Sequence, residues 1–132
     1  MVVAGLVLAG IAAALHVFIF WLESVAWTTP RARATFGTTE QEAAATRELA
    51  FNQGFYNLFL AVVTAVGIVL VALGSMAGTT GAGAALVLAG TGSMLAAALV
   101  LFLSSPGKRS AAVKQGTVPL LAVVALVVGL AL

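Results

Sequence analysis

Long apolar runs and short polar ones alternate along the chain four times over. A helix needs about 20 apolar residues to cross a hydrocarbon core of roughly 30 Å, and four segments reach that length. The first runs from about Val2 to Trp27 and stops at Thr28-Thr29-Pro30, because proline disfavours helix in the residue before it. The second is apolar from about Leu49 to Met76, and Gly78-Thr79-Thr80-Gly81 turns it into the third, about Ala82 to Leu103. Ser104-Ser105-Pro106-Gly107 ends that segment with a run of breakers, and the fourth begins near Gln115 and runs to Leu132. The pattern predicts an all-α four-transmembrane-helix bundle forming a single domain, residues 1–132, with spans at 2–27, 49–76, 82–103 and 115–132 and loops at 28–48 and 104–114. In the first loop, Thr39-Glu40-Gln41-Glu42 matches a capping box. The second helix is therefore expected to start there and to run through Glu48 before it enters the membrane.

Composition supports the bilayer as solvent. Of 132 residues, 62% are hydrophobic and 8% charged, and a soluble fold of this size would expose much of that apolar surface. The few charges then set sidedness. Arg31, Arg33 and Arg47 lie between spans one and two, and Lys108, Arg109 and Lys114 between spans three and four. The opposite side, with both termini and the turn from Met76 to Gly81, carries no Lys or Arg. The positive-inside rule places the charged loops in the cytoplasm and both termini outside, so the expected location is a cell membrane, a bacterial inner membrane by preference.

The same charges exclude other classes. Six Lys and Arg confined to loops cannot form the basic stripe that nucleic acid requires. Absent cysteine removes disulfides, thiolate metal sites and cysteine nucleophiles. The N-terminal run has no basic n-region and is too long for a signal-peptide core, so it reads as a retained span. The Ala- and Gly-rich stretch 78–92 favours close helix packing and self-association into a homo-oligomer. Gly90-Thr91-Gly92-Ser93 follows no strand and is no phosphate loop.

Candidate chemistry comes from polar residues inside the spans. His16, Phe20, Glu23 and Trp27 are spaced by four, three and four, along one stripe of the first helix. An ionisable group in a span costs about 2.5 to 3.5 kcal/mol on insertion scales and normally faces protein or water. The second helix carries Asn52-Gln53-Gly54-Phe55-Tyr56-Asn57, where the polar residues are helical neighbours. Both segments adjoin the same loop, so Glu23 and Asn52 to Asn57 lie at one depth. Gln115, at the start of the fourth span, is expected at the rim of that layer, and Gly54 permits close backbone approach. Metal ligation is not expected, since one His, one Glu and neutral amides have no ligand spacing, and no cofactor motif is present.

Several segments carry a family resemblance: His16 with Leu22-Glu23, Trp27-Thr28-Thr29-Pro30-Arg31, Phe36-Gly37, Asn52-Gln53-Gly54-Phe55-Tyr56-Asn57, and Gln115-Gly116 with Pro119. Together they resemble the domain-of-unknown-function 1304 family of small four-helix integral membrane proteins of bacteria and fungi. The resemblance spans nearly the whole chain. It implies the fold and names no activity.

Three functional readings follow from these residues. In the first, the cytoplasmic half of the bundle holds a lipophilic small molecule, with acid/base chemistry on it such as isomerisation, cyclisation or hydration. Glu23, His16 and Tyr56 are then the catalytic candidates, and Trp27, Asn52, Gln53, Asn57 and Gln115 bind and orient the ligand. His16 and Glu23 are seven residues, or roughly 10 Å, apart along the helix, so they act on two ends of a ligand. In the second, the chain is a proton-coupled small exporter working as an oligomer. In the third, it is a structural or accessory protein whose polar layer is a packing clasp, amide bonds across helices contributing roughly 1 kcal/mol each or less. Whether the protein is an enzyme is left open by its sequence.

Overall fold

The structure, a computed structural model, describes residues 1–132 except the side chains of residues 75–77. Met76, the expected end of the second segment, is thus outside the described residues. Helix α1 covers Val2–Phe20 and continues through a π-helical turn, Trp21–Val25. Two short helices follow, α2 at Pro30–Phe36 and α3 at Glu40–Ala45. Then come α4 at Arg47–Ala77, α5 at Thr80–Ser104 and α6 at Arg109–Ala131, the last entered through a 3-10 turn at Pro106–Lys108. Among the described residues there is no strand. Four helices are long and apolar enough to cross a membrane, as the hydrophobic pattern predicts.

Around the bundle, α1 packs between α4 and α6, and α5 packs on the same two helices from the far side. Gly129 of α6 lies against Val2 of α1, so both termini share one end of the bundle. At the other end α2, α3 and the 3-10 turn gather, with Gly37, Glu42 and Lys108 around one cleft.

Small residues build the interior: Ala9, Ala12, Ala61, Ala84, Ala98 and Ala122 are all buried. Lipid tails are as apolar as the side chains, so helices in a bilayer associate through close packing. One such close approach is where Gly67 of α4 meets Gly83 of α5. A Cβ at Gly67 would stand 2.7 Å from the Val87 nitrogen and 2.8 Å from the Gly83 oxygen, and one at Gly83 would stand 2.6 Å from the Val71 nitrogen. Larger apolar residues such as Val7, Val66, Val100 and Val127 point outward and are exposed, the arrangement expected where acyl chains surround the protein. The buried Thr64 and Thr91 hydroxyls donate to carbonyls of their own helices, Leu60 at 2.8 Å and Val87 at 2.7 Å.

The loops hold more helix than hydropathy predicts. Pro30 ends the first span, yet it also starts α2, because a proline at the first helical position lacks an N–H that would have no partner anyway. Thr29 caps that helix, its hydroxyl oxygen accepting from the Ala32 N–H at 3.3 Å. The capping box forms as expected: the Thr39 N–H donates to Glu42 Oε2 at 2.8 Å, and the Glu42 N–H donates to Thr39 Oγ1 at 3.2 Å. The helix it starts is α3, which breaks at Thr46 (φ −104°, ψ 8°) before α4 begins at Arg47. In place of a loop to residue 114, α6 starts at Arg109, since hydropathy marks only where a helix meets lipid and basic residues are no obstacle to helix. Pro119 lies inside α6 and has no N–H for the Gln115 carbonyl.

Candidate functional site

Glu23 stands in the π-helical turn, where the Ala26 N–H donates to the Trp21 carbonyl at 3.0 Å, one residue further than in an α-helix. Such turns are rare and occur often at functional sites. The turn is fixed from across the bundle. Ser24 Oγ donates to the Phe51 carbonyl at 2.8 Å, and Gly54 lies beneath it with no side chain to hold the helices apart. A Cβ at Gly54 would fall 3.0 Å from the Phe20 oxygen and 3.1 Å from Glu23 Cβ.

The close approach brings Glu23 to Asn57. Asn57 Nδ2 donates to Glu23 Oε2 at 2.7 Å and to the Gln53 carbonyl at 3.2 Å, so both amide hydrogens are used. Glu23 is 9% exposed and Asn57 5%. No Lys or Arg pairs with Glu23 among the described residues, where the ion pair is Arg33 with Glu40 at 3.9 Å in the loops. A buried carboxyl thus has one amide donor and no cation.

Beside it opens a cleft of about 630 Å³, lined among others by Glu23, Trp27, Asn52, Gln53 and Tyr56. Trp27 Nε1 donates to Thr46 Oγ1 at 3.2 Å, and its ring packs on Phe36 with centroids 5.1 Å apart. Thr46 in turn donates to the Glu42 carbonyl at 2.7 Å. This chain of contacts ties the π-turn to α3 and makes one wall of the cleft. Tyr56 is 64% exposed, so its phenol stands at the mouth while the buried Glu23 stands at the base.

Two candidates lie elsewhere. His16 is 1% exposed and does not line this cleft. Its Nδ1 donates to the Ala12 carbonyl at 2.9 Å, and Nε2 has no partner among the described residues. Gln115 lines a second cleft, with Leu15, Phe18, Ile19 and Leu22. Depth alone placed it beside Glu23; the angular position of α6 turns it to another face. Sequence reasoning also missed Thr46 and Lys108, which close the first cleft. Lys108 had a signal in its loop position, whereas Thr46 had none. Among the described residues no three His, Cys, Asp or Glu side chains gather as a metal site would need.

Four apolar helices with a polar cleft under the loops at one end define the class, a small multi-pass membrane protein. The family model described as protein of unknown function (DUF1304) matches residues 10–127, and the chain belongs to that family. That range includes every residue of both clefts. Comparison with curated proteins and with solved structures gives no match.

Proposed function

We propose that the protein sits in the cell membrane with its charged loop end in the cytoplasm, and that the cleft beside Glu23 binds a lipophilic small molecule and performs acid/base chemistry on it. The one-sided loop charge supports the orientation. The observation that carries the binding reading is Glu23 itself. A carboxyl held by Asn57, without a cation, at the base of a cleft of about 630 Å³ is the arrangement of an intramembrane functional group, in a space of ordinary ligand size. A packing clasp needs the Glu23–Asn57 bond and has no use for the space next to it.

In this reading Glu23 exchanges a proton with the ligand, Tyr56 donates from the mouth, and Asn52 and Gln53 orient polar groups. Trp27 offers an apolar wall. His16 and Gln115 take no part, because neither lines the cleft. The test uses protein in lipid nanodiscs and a panel of lipophilic amines, alcohols and polyenes, read by thermal stabilisation and product analysis. Glu23→Gln keeps a hydrogen-bonding partner for Asn57 and removes the exchangeable carboxyl proton. Panel members that stabilise the wild type are expected to lose at least about tenfold in affinity or turnover, the loss reported for one general acid/base group being of order 10² or more. Unchanged affinity and turnover in Glu23→Gln, or a panel without any stabilising member, overturns the reading.

A further inference from the structure

The second cleft, of about 430 Å³, opens between α1, α2 and the start of α6 and shares only Gly37 and Lys108 with the first. One wall is apolar: Leu15, Phe18, Ile19 and Leu22 lie on successive turns of one helix face. The rim is basic. Lys108 and Lys114 line it from the α6 side, and on the α2 side the Arg31 guanidinium stands 5.3 Å from the centre of the Phe18 ring and 5.8 Å from that of Trp21. No acidic residue lines the cleft, and the Arg33–Glu40 ion pair uses none of its cations.

An apolar trough along a membrane helix, with two lysines at its rim and Arg31 over the adjoining Phe18 ring, suits the charge and apolar chain of one lipid. We propose that this cleft binds an anionic phospholipid, one acyl chain lying along Leu15, Ile19 and Leu22 and the phosphate held by Lys108 and Lys114 with Arg31 flanking. Basic pockets between membrane helices at the cytoplasmic side hold such headgroups. Free phosphate would leave the apolar wall unused, and a neutral lipid would leave Lys114 without an anion. The site does not rest on the Glu23 reading, since its apolar wall, Lys114 and Gln115 line this cleft and not the first.

Trp21 is a built-in reporter, its ring 6.0 Å from that of Phe18. The chain has two tryptophans, so Trp27→Phe leaves Trp21 alone. This variant is placed in phosphatidylcholine vesicles with increasing brominated phosphatidylglycerol or, in parallel, brominated phosphatidylcholine, and Trp21 quenching is measured. Selective quenching by the anionic lipid is expected, with a drop on the order of fivefold in that selectivity for Lys114→Gln, the loss of one cation near the surface. Ile19→Phe, which fills the trough and keeps every cation, is expected to lower it too, and circular dichroism checks that both variants keep their helix. Equal quenching by the two lipids, or selectivity that survives Lys114→Gln, overturns the proposal. A third arm with brominated fatty acid separates the sources: quenching that phosphatidylglycerol fails to displace would assign the cleft to a carboxylate and overturn the phospholipid.

Discussion

Toward the end that carries the termini, α4 and α5 meet backbone to backbone at Gly67 and Gly83. At the loop end, α1 and α4 meet through Ser24, Gly54, Glu23 and Asn57, with two hydrogen bonds across the contact and a cleft beside it. The first contact is made by deleting side chains alone, the second by one deletion, Gly54, together with polar pairs. In lipid no hydrophobic force draws helices together, so deletion gives a close seam without space. Polar pairing holds helices at fixed points and leaves room between them.

That contrast is breakable in order of expected effect. Gly67→Leu places a side chain where even a Cβ meets backbone at 2.7 Å, and overpacking of about 1–3 kcal/mol, occasionally more, makes the largest drop in thermal stability expected here. A tolerated leucine would show that the seam is not close. Asn57→Leu leaves the Glu23 carboxyl buried with no donor, a loss of about 1–3 kcal/mol. Adding Glu23→Leu should recover part of it, and strict additivity in that double-mutant cycle would mean that the pair does not interact. Ser24→Ala removes the bond to the Phe51 carbonyl for about 0.5–1.5 kcal/mol, visible as an unfolding shift without loss of helix.

The smallest effect is in the loops, where pH is the probe. The Thr39 backbone N–H, helped by its hydroxyl, holds the Glu42 carboxyl below its ordinary range. The capping box therefore contributes fully above the unfolded glutamate value and loses its contribution as pH falls through the lower folded one. Acidification across that window should lower the protection factors of α3 amides, measured against intrinsic exchange at each pH, and leave those of the seam unchanged. Protection factors in α3 that ignore pH would detach Glu42 from the cap.

Much of this was legible in the residues. Apolar run length located the four spans, Thr39 and Glu42 announced their cap, and the common depth of Glu23 and Asn57 anticipated their bond. Depth is one coordinate of two. The rotation of α6 that carries Gln115 to the second cleft, and the outward turn of Tyr56, depend on how helices lean, which no single run of residues encodes. The break at Thr46 follows a good helix-forming stretch, Glu40–Ala45, and has no Gly or Pro to mark it. Nor does Trp21–Val25 contain a breaker. Its π geometry answers to the Phe51 carbonyl, which Ser24 reaches, and to Gly54, partners that are distant in sequence.

The π-turn has one more consequence, which concerns the length of the chain. The wide turn takes up one residue more than an α-turn in nearly the same rise, so if the same residues closed as ordinary α-helix everything after them would be carried forward by about 1.5 Å and swung by about 100°. Trp27 would leave the Thr46 hydroxyl that now receives its hydrogen bond, and α2 would move away from the mouths of both clefts. The first span thus behaves like a key with one tooth too many, taken up in the wide turn; removing one residue there would let α-helix close with the rest nearly in place, whereas the same removal elsewhere in the span would turn the key out of its lock.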